Sequence, residues 1–323
     1  MSRFRVVITD YVFPNLDPEA EVFSGLDVDL VAGQSKSAAD VLALVPGADA
    51  LLNTYYGPID GAIMDAMPTC RVIVRYGVGV DTIDIPAATA RGIMVVNVPD
   101  YCIDEVSDHA VAMLLALVRK LPLGDRRVRA GDWAIAPLKP VTSLHGMSVG
   151  IVGMGRIGRE IARKLAAFNP AISYFDPYAA GDPSLADYIS MPLDALLAGC
   201  DAILLQAPST PETHHLLSDA AFAAMKRKPI VINCARGDLI DTDALVRALE
   251  SGQVSAAGLD VIEGANPPVD HPLFTFESVL FTPHSAWLSE QARHNLQRFA
   301  ALEVARVLGG DRPKSLLNPD VLK

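Results

Sequence analysis

Apolar and polar positions along the chain form two sets of alternating strand-like and helix-like segments. In the first hundred residues, short apolar runs such as 5–9 and 71–75 are separated by segments with helical apolar spacing, such as 37–44. A second set of the same kind occupies residues 148–282. Such alternation is typical of parallel sheets covered by helices. The pattern predicts an α/β protein with two doubly wound parallel-sheet domains.

One stretch of the second set runs from a short apolar strand through three spaced glycines into a helix. Gly153 permits a tight turn, Gly155 lets the backbone approach a pyrophosphate, and Gly158 lets helix and strand pack closely. The helix begins near Arg156 and Ile157, and the free N–H groups of its first turn suit an anion. Because the context is right on both sides, this stretch predicts a dinucleotide site rather than a purely structural glycine turn.

The residue that follows the next predicted strand bears on the choice of cofactor. That strand, 171–175, ends at Asp176, and an acid at this position suits a ribose 2′-hydroxyl. A 2′-phosphate would be repelled by the carboxylate, and no Lys or Arg occurs from residue 165 to 225 to bind it. The sequence therefore predicts NAD rather than NADP.

Polar side chains follow the last three predicted strands. Arg236 follows the strand at 230–234, Asp260 and Glu263 follow the strand at 256–259, and His284 follows the strand at 279–282. Ligands of open parallel sheets bind beyond the carboxyl ends of the strands. Reduction of a 2-keto acid needs a cation for the carboxylate and a proton donor that titrates near neutrality. Arg236 and His284 fit these roles; the alternative is a surface arginine and a surface histidine.

Two loops of the first predicted domain are candidates for substrate contacts. Arg75, Gly77, Val78 and Gly79 follow a predicted strand, and their backbone N–H groups could hold a carboxylate. Tyr55 follows another strand. The alternative is that both are ordinary βα turns.

The remaining histidines and the cysteines are weaker candidates. His214 and His215 are adjacent in a polar loop, where we expect them to point apart, so a metal pair is disfavoured. His109 falls in a long apolar helix predicted near 104–121, where a satisfied, buried imidazole is the expectation. The four cysteines lack CxxC spacing and lie in apolar surroundings, so neither a disulfide nor a metal site is expected.

Charge and hydrophobicity exclude several classes of partner. The 323 residues carry a formal net charge of -11, which disfavours nucleic acid and anionic membranes. The longest apolar run, 110–118, is too short to span a bilayer. No signal-peptide region precedes the first predicted strand. We therefore expect a soluble, cytoplasmic protein.

A long segment, 123–145, shows no clear periodicity, and such a stretch is usually functional or an interface. Residues 289–308 return to helical apolar spacing near the end of the chain.

With these residues in view, the chain resembles the D-isomer-specific 2-hydroxyacid dehydrogenases over nearly its whole length. The matching motifs are the glycine-rich stretch 150–158 and the segments 208–213, 233–237, 258–261 and 282–286. Their joint occurrence in this order is far more specific than any one of them. Trp287 with residues 289–292, and Arg75 before its glycines, look most like the branch of the C-terminal-binding-protein corepressors.

The resemblance implies an organisation and a set of roles. It implies a flavodoxin-like substrate domain from residues 1–100 and 290–323, an inserted Rossmann-type NAD domain at 101–289, and a homodimer made partly through 123–145. Arg236 would bind a small 2-keto or 2-hydroxy acid and His284 would be the acid/base. Substrate contacts are expected at Arg75, Gly77, Val78, Gly79, Tyr55 and Trp287. Cofactor contacts are expected at Gly153, Gly155, Arg156, Ile157, Gly158, Asp176, Pro208, Cys234, Ala235, Asp260 and Ala286.

One position departs from the family pattern. The catalytic glutamate of the family lies five residues beyond the aspartate, where this chain has Ala265. Glu263 lies two residues earlier and is the alternative carboxylate for pairing with His284. Two functions therefore stay open: a dehydrogenase, and an NAD-responsive binding protein with weakened catalysis. The presence of both Arg236 and His284 favours the dehydrogenase.

Overall fold

The computed structural model describes residues 3–264 and 267–323. The chain forms two compact units: unit 1 contains Met1–Cys102 and Leu288–Lys323, and unit 2 contains Ile103–Trp287. Each unit is a parallel sheet with helices, so the predicted fold class is confirmed. The helix at the end of the chain belongs to unit 1.

Unit 1 is built on a five-stranded parallel sheet of order β2-β1-β3-β4-β5. Its strands are β1 (Phe4–Ile8), β2 (Val28–Ala32), β3 (Ala50–Asn53), β4 (Val72–Arg75) and β5 (Met94–Val96). Its helices are α1 (Asp17–Phe23), α2 (Ala38–Leu44), α3 (Gly61–Asp65), α4 (Ile85–Ala90) and the last helix, α11 (Glu290–Leu308). This strand order is that of flavodoxin-like sheets, and the order reverses between β1 and β3.

Unit 2 is built on a seven-stranded parallel sheet of order β12-β11-β10-β9-β6-β7-β8. Its strands are β6 (Ser148–Val152), β7 (Ala171–Phe175), β8 (Ile189–Ser190), β9 (Ala202–Leu205), β10 (Ile230–Asn233), β11 (Ala256–Leu259) and β12 (Val279–Phe281). Its helices are α5 (Ile103–Val118), α6 (Leu121–Arg129), α7 (Arg156–Ala166), α8 (Leu193–Gly199), α9 (Asp219–Ala224) and α10 (Thr242–Glu250). The order reverses between β6 and β9, as in the Rossmann arrangement.

The central strands of both sheets are buried on both faces. Leu51 and Ile73 of unit 1 and Ile203 and Val231 of unit 2 are fully buried. Strands covered on both sides need continuous apolar runs rather than alternation. This is why short apolar runs marked the strands correctly.

Helix α6 is the main departure from the predicted elements. The segment 123–145 was expected to be irregular, but its first part belongs to this helix, which begins at Leu121. None of its residues is buried, and its apolar side chains Leu121 and Val128 are exposed. Four of its nine residues are charged (Asp125, Arg126, Arg127 and Arg129), and it was therefore not identified as a helix from the sequence. Helix α1 was missed because, at seven residues, it is too short to show a clear apolar period.

All four cysteines are buried, in line with the apolar surroundings predicted for them. Burial raises the pKa of the Cys200 thiol to about 11, so this thiol stays protonated at neutral pH. No helix in residues 3–264 or 267–323 is both long and apolar enough to cross a membrane.

Candidate active site

The glycine-rich loop lies between β6 and α7, at the point where the strand order of unit 2 reverses. Gly153 has φ +94°, and a Cβ there would come within 2.7 Å of the backbone of Gln206. A Cβ on Gly158 would collide with the carbonyl oxygen of Gly153. By contrast, a Cβ on Gly155 would meet nothing within 4 Å. Protein atoms therefore leave no room for a side chain at Gly153 and Gly158, whereas the space at Gly155 is open. The open space fits a pyrophosphate that approaches the backbone at Gly155.

Asp176 lies beside this loop, immediately after β7. Its Oδ2 accepts a hydrogen bond of 2.7 Å from the backbone N–H of Met154, and its Oδ1 accepts one of 2.8 Å from that of Tyr178. These bonds fix the carboxylate at the strand end next to the start of α7. That position suits a ribose 2′-hydroxyl.

A cation that the sequence argument overlooked also reaches this loop. Arg159 of α7 donates from Nε to the carbonyl of Met154 at 2.9 Å. Its guanidinium also pairs with Asp182 at 2.7 Å and with Ser184. Hydrogen bonds from Ser184 and the Arg159 charge lower the pKa of Asp182 to about 2. The Arg159 guanidinium is held by this ion pair rather than available to a 2′-phosphate. The preference for NAD therefore rests on this ion pair as well as on the lack of Lys and Arg from residue 165 to 225.

Asp260 organises the loop that carries His284. This carboxylate is buried and accepts hydrogen bonds from the Thr282 hydroxyl at 2.6 Å, from Ser285 N–H at 2.8 Å and from Ala286 N–H at 3.1 Å. The backbone N–H of His284 also donates to the Asp260 carbonyl. His284 is exposed, with φ +53°. A non-glycine residue in the left-handed region is uncommon, and the hydrogen bonds that the loop donates to Asp260 hold it there.

The loop after β10 is fixed by Asn233, whose role the sequence reasoning missed. The Asn233 amide donates to the Arg236 carbonyl at 2.8 Å and accepts from Ala235 N–H at 3.0 Å. Arg236 donates from Nη1 to the Ala235 carbonyl at 2.7 Å. At Gly237 the loop lies so close to the backbone of Ile262 that a Cβ would collide. The signal available in the sequence was an asparagine at the end of an otherwise apolar strand.

The Glu263 carboxylate lies beside two histidines other than His284. Its Oε1 lies 2.7 Å from His215 Nε2 and 4.0 Å from His214 Nε2. A catalytic role for Glu263 therefore stays a prediction. Ala265, where the family glutamate is missing, lies outside the described residues. The hydrogen bond that the Glu263 carboxylate accepts from His215 raises the pKa of His215 above its ordinary value.

The expectation that His214 and His215 point apart is wrong. Their rings stack, with centroids 3.9 Å apart and planes inclined by 27°. His215 has φ +50°, and this left-handed backbone turns the chain so that adjacent side chains share one side. The sequence offers no glycine or asparagine here to indicate such a turn.

In unit 1, the loop after β4 has a specific conformation. Gly77 has φ +143°, its N–H donates to the Arg75 carbonyl, and its own carbonyl accepts from Val98 N–H. The Asn97 amide donates to the carbonyl of Val78 at 2.6 Å. Gly79 follows at an intermediate level of burial. The loop is thus a fixed structure in which only glycine suits position 77.

Asp10, at the end of β1, fixes the neighbouring loop after β3 and was not singled out from the sequence. Its Oδ2 accepts from the N–H of Tyr55 at 2.6 Å and from that of Tyr56 at 3.2 Å, and its Oδ1 accepts from Thr54 N–H at 3.1 Å. These bonds span the strand-order reversal of unit 1. The Tyr55 side chain remains 46% exposed.

The other predicted residues lie on the same strand-end loops of unit 2. Arg156 and Ile157 begin α7, the Pro208 carbonyl accepts from the Thr213 hydroxyl, and Cys234 and Ala286 are buried. Trp287 is half-buried and is the last residue of the unit. His109 of α5 bonds Thr282 Oγ1 at 2.9 Å, which confirms the expectation of a satisfied imidazole, but its side chain is 24% exposed rather than buried.

The fold and these loops define a class: a two-unit α/β protein whose Rossmann-type unit has the geometry of a dinucleotide site. A family model described as "D-isomer specific 2-hydroxyacid dehydrogenase, NAD binding domain" matches residues 111–286. The chain is 37% identical over 305 residues to a glyoxylate reductase of Thermofilum pendens, covering 91% of this chain and 90% of that protein. The chain therefore belongs to the D-isomer specific 2-hydroxyacid dehydrogenase family.

Two further similarities agree with this. The chain is 37% identical over 314 residues to a D-3-phosphoglycerate dehydrogenase of Mycobacterium tuberculosis, covering 96% of this chain and 58% of that protein. The crystal structure of a D-lactate dehydrogenase from Aquifex aeolicus, complexed with NAD and lactic acid, superposes with a TM-score of 0.88 at 26% identity, covering 97% of this chain and 99% of that one.

The chain is an NAD-dependent oxidoreductase that interconverts a 2-keto acid and a D-2-hydroxy acid. The comparisons favour this function over an NAD-responsive binding protein. Its resemblance to the corepressor branch stays a prediction.

Proposed function

We propose that Arg236 binds the carboxylate of the 2-keto acid and that His284 transfers the proton. This proposal is supported by the hydrogen bonds that fix the loops after β10 and β12. The Asn233 side chain bonds the backbone around Arg236, and the Asp260 side chain bonds the backbone around His284. Fixed placement of a cation and a proton donor is the main contribution a protein can make to such a reaction. Arg75, Gly77, Val78, Gly79 and Tyr55 are proposed as further substrate contacts.

Each side chain then has a definite task in reduction. When bound, NADH supplies the hydride that adds to the keto carbon. The Arg236 guanidinium binds the carboxylate through two parallel N–H groups and polarises the keto oxygen. Protonated His284 donates its proton to that oxygen, which becomes the hydroxyl of the product. In oxidation, the neutral ring takes the proton back.

For the cofactor, we propose that Gly153, Gly155, Gly158 and the start of α7 hold the pyrophosphate and that Asp176 binds the ribose. The open space at Gly155 and the fixed carboxylate of Asp176 support this assignment. Reduced cofactors should be titrated by fluorescence. Binding of NADPH as tight as that of NADH would contradict the role of Asp176.

For the substrate, we propose a 2-keto acid with a medium-sized apolar or aromatic side chain, because Trp287 follows the catalytic loop closely. NADH consumption should be measured with a panel of 2-keto acids that includes glyoxylate, the substrate named for the Thermofilum pendens relative. Trp287→Ala should weaken preference among side chains, while glyoxylate loses less. An unchanged rank order would mean that Trp287 does not contact the substrate side chain.

We also propose that the protein acts as a homodimer in the cytoplasm. The support for dimer formation is the segment around α6, which exposes several large apolar side chains. The comparisons give no assembly for this chain.

A further inference from the structure

Three side chains with metal-ligating atoms meet beyond the carboxyl ends of β9 and β11. The ligating atoms of His214, His215 and Glu263 all lie within 4.8 Å of one another. The Glu263 carboxylate is the common partner, since its Oε1 lies 2.7 Å from His215 Nε2 and 4.0 Å from His214 Nε2. None of the three residues was given a task in the reaction steps described above for Arg236 and His284.

The backbone holds the members of this cluster in place. The N–H of His215 donates to the Asp238 carbonyl at 2.8 Å, and the N–H of His214 donates to the Thr210 carbonyl at 2.9 Å. The loop of Glu263 packs against Gly237 so closely that no Cβ fits between them. A site built on fixed backbone loses less conformational freedom when a ligand binds.

We propose that His214, His215 and Glu263 bind a divalent transition-metal ion, with Zn²⁺ as the representative. Two imidazoles and one carboxylate are a common zinc ligand set, and they favour Zn²⁺, Ni²⁺ or Cu²⁺ over Mg²⁺ and Ca²⁺. Around a tetrahedral ion with bonds of about 2.05 Å, neighbouring ligand atoms lie about 3.3 Å apart. The two nitrogen-to-oxygen distances, 2.7 and 4.0 Å, lie on either side of that value.

The adjustment that the ion requires is small and local. The distance from Glu263 Oε1 to His215 Nε2 must lengthen, and that from Glu263 Oε1 to His214 Nε2 must shorten. Each change is less than about 1 Å relative to the tetrahedral spacing. The His214 side chain is 52% exposed, so its ring can turn out of the stack. His215 and Glu263 are about one-third exposed, which leaves room for water at the fourth position.

The surrounding charge favours a cation. Asp238 and Asp241 both act on His215 electrostatically. The chain as a whole has a formal net charge of -11. A bound ion would connect the loop after β9, which contains Pro208, to the loop after β11. Because it would bind the folded state only, it should also raise the melting temperature in a concentration-dependent way.

The test uses the full chain without a histidine tag, treated with chelator and desalted. Co²⁺ is the probe, because its visible absorption reports tetrahedral coordination, and Zn²⁺ is the competitor. We expect a single equivalent of Co²⁺ to bind and to be displaced by Zn²⁺. His215→Ala and Glu263→Gln should each weaken binding about tenfold or more. His145→Ala removes an exposed histidine outside the cluster and should leave the Co²⁺ spectrum unchanged.

A second variant guards against loss of folding. His214→Gln leaves the bond between His215 and Glu263 intact, and circular dichroism and NADH fluorescence verify that it folds. It too should lose the Co²⁺ absorption. The proposal is overturned if this absorption persists in His214→Gln, or if the wild type binds no more Co²⁺ than the double variant His214→Ala/His215→Ala.

Discussion

Arg236 combines a fixed backbone with a planar guanidinium, and this combination leads to a direct test. Lysine keeps the charge but cannot offer two parallel N–H groups to a carboxylate. Arg236→Lys should therefore lower kcat/KM for the 2-keto acid by about 100-fold or more, while the dissociation constant of NADH stays near the wild-type value. Steady-state kinetics and fluorescence titration measure the two quantities.

The matched control is Arg247→Lys, which changes an exposed arginine paired with Asp219 on the surface of unit 2. Its kcat/KM should stay within about twofold of wild type, as expected for a surface ion pair. If Arg236→Lys behaved like this control, Arg236 would not bind the substrate carboxylate.

Glu19 is a buried carboxylate of unit 1 whose ionisation affects stability. It accepts from the Tyr76 hydroxyl at 2.8 Å and from the Gln297 amide at 2.9 Å. Burial raises its pKa above 4.5, more than these bonds lower it. The folded state therefore holds this proton more tightly than the unfolded chain, and wild-type stability falls as pH rises from about 4.5 through the folded-state pKa.

Glu19→Gln cannot ionise, so it should lose less stability over that range. The free energy of unfolding of the variant minus that of the wild type should therefore increase between pH 4.5 and 7. Urea unfolding at several pH values measures the difference. Glu21→Gln, at an exposed position of the same helix, is the control. A difference that is constant with pH would show that the carboxylate of Glu19 is not the titrating group.

At the scale of secondary-structure elements, two glycines of the turn from β6 into α7 have different surroundings. Gly153 lies against the protein backbone, whereas Gly155 faces the open space proposed for the cofactor. Gly153→Ala forces a Cβ into the backbone of Gln206 at φ +94°, so it should cost about 1–3 kcal/mol of stability and impair NADH binding. Gly155 has φ -73° and open space, so alanine fits the free protein. Gly155→Ala should keep the melting temperature but weaken NADH binding about tenfold or more.

Gly199, at the end of α8, is the control because its Cβ would also meet nothing within 4 Å. Gly199→Ala should change NADH affinity by less than about twofold and leave stability the same or slightly higher. Calorimetry and fluorescence titration distinguish the three variants. Unchanged NADH affinity in Gly155→Ala would contradict the placement of the pyrophosphate there.

At the scale of the whole molecule, the prediction of a dimer is based on residues 121–135, which include α6 and the turn after it. Trp133 is 80% exposed, Ile135 is 71% exposed and Leu121 is 60% exposed. A large exposed aromatic residue among apolar neighbours is typical of an interface. The wild type should therefore have twice the chain mass of 34.4 kDa in light scattering, and Trp133→Ser should shift it toward the monomer.

Tyr178→Ser is the control, since this aromatic residue is 98% exposed but lies elsewhere, after β7. It should leave the mass unchanged. A wild-type protein that stays monomeric at all concentrations used would refute the dimer.

The sequence alone determined the fold class, the dinucleotide loop and the loops that carry Arg236 and His284. The physical reason is that these features depend on local rules. Buried parallel strands require short apolar runs, Gly153 and Gly158 have no room for a Cβ, and residues that follow parallel strands end at one edge of the sheet.

The tertiary structure alone decided which side chains meet across distant loops. Asp10 holds the backbone of Tyr55, and Glu263 reaches His215, through contacts between residues more than forty positions apart. The stacking of His214 on His215 depends on the left-handed backbone of His215, a conformation that the sequence does not predict for a histidine. Helix α6 buries no side chain, so the packing that identifies most helices is missing from it. Such features arise from packing and loop geometry, which the order of residues does not encode locally.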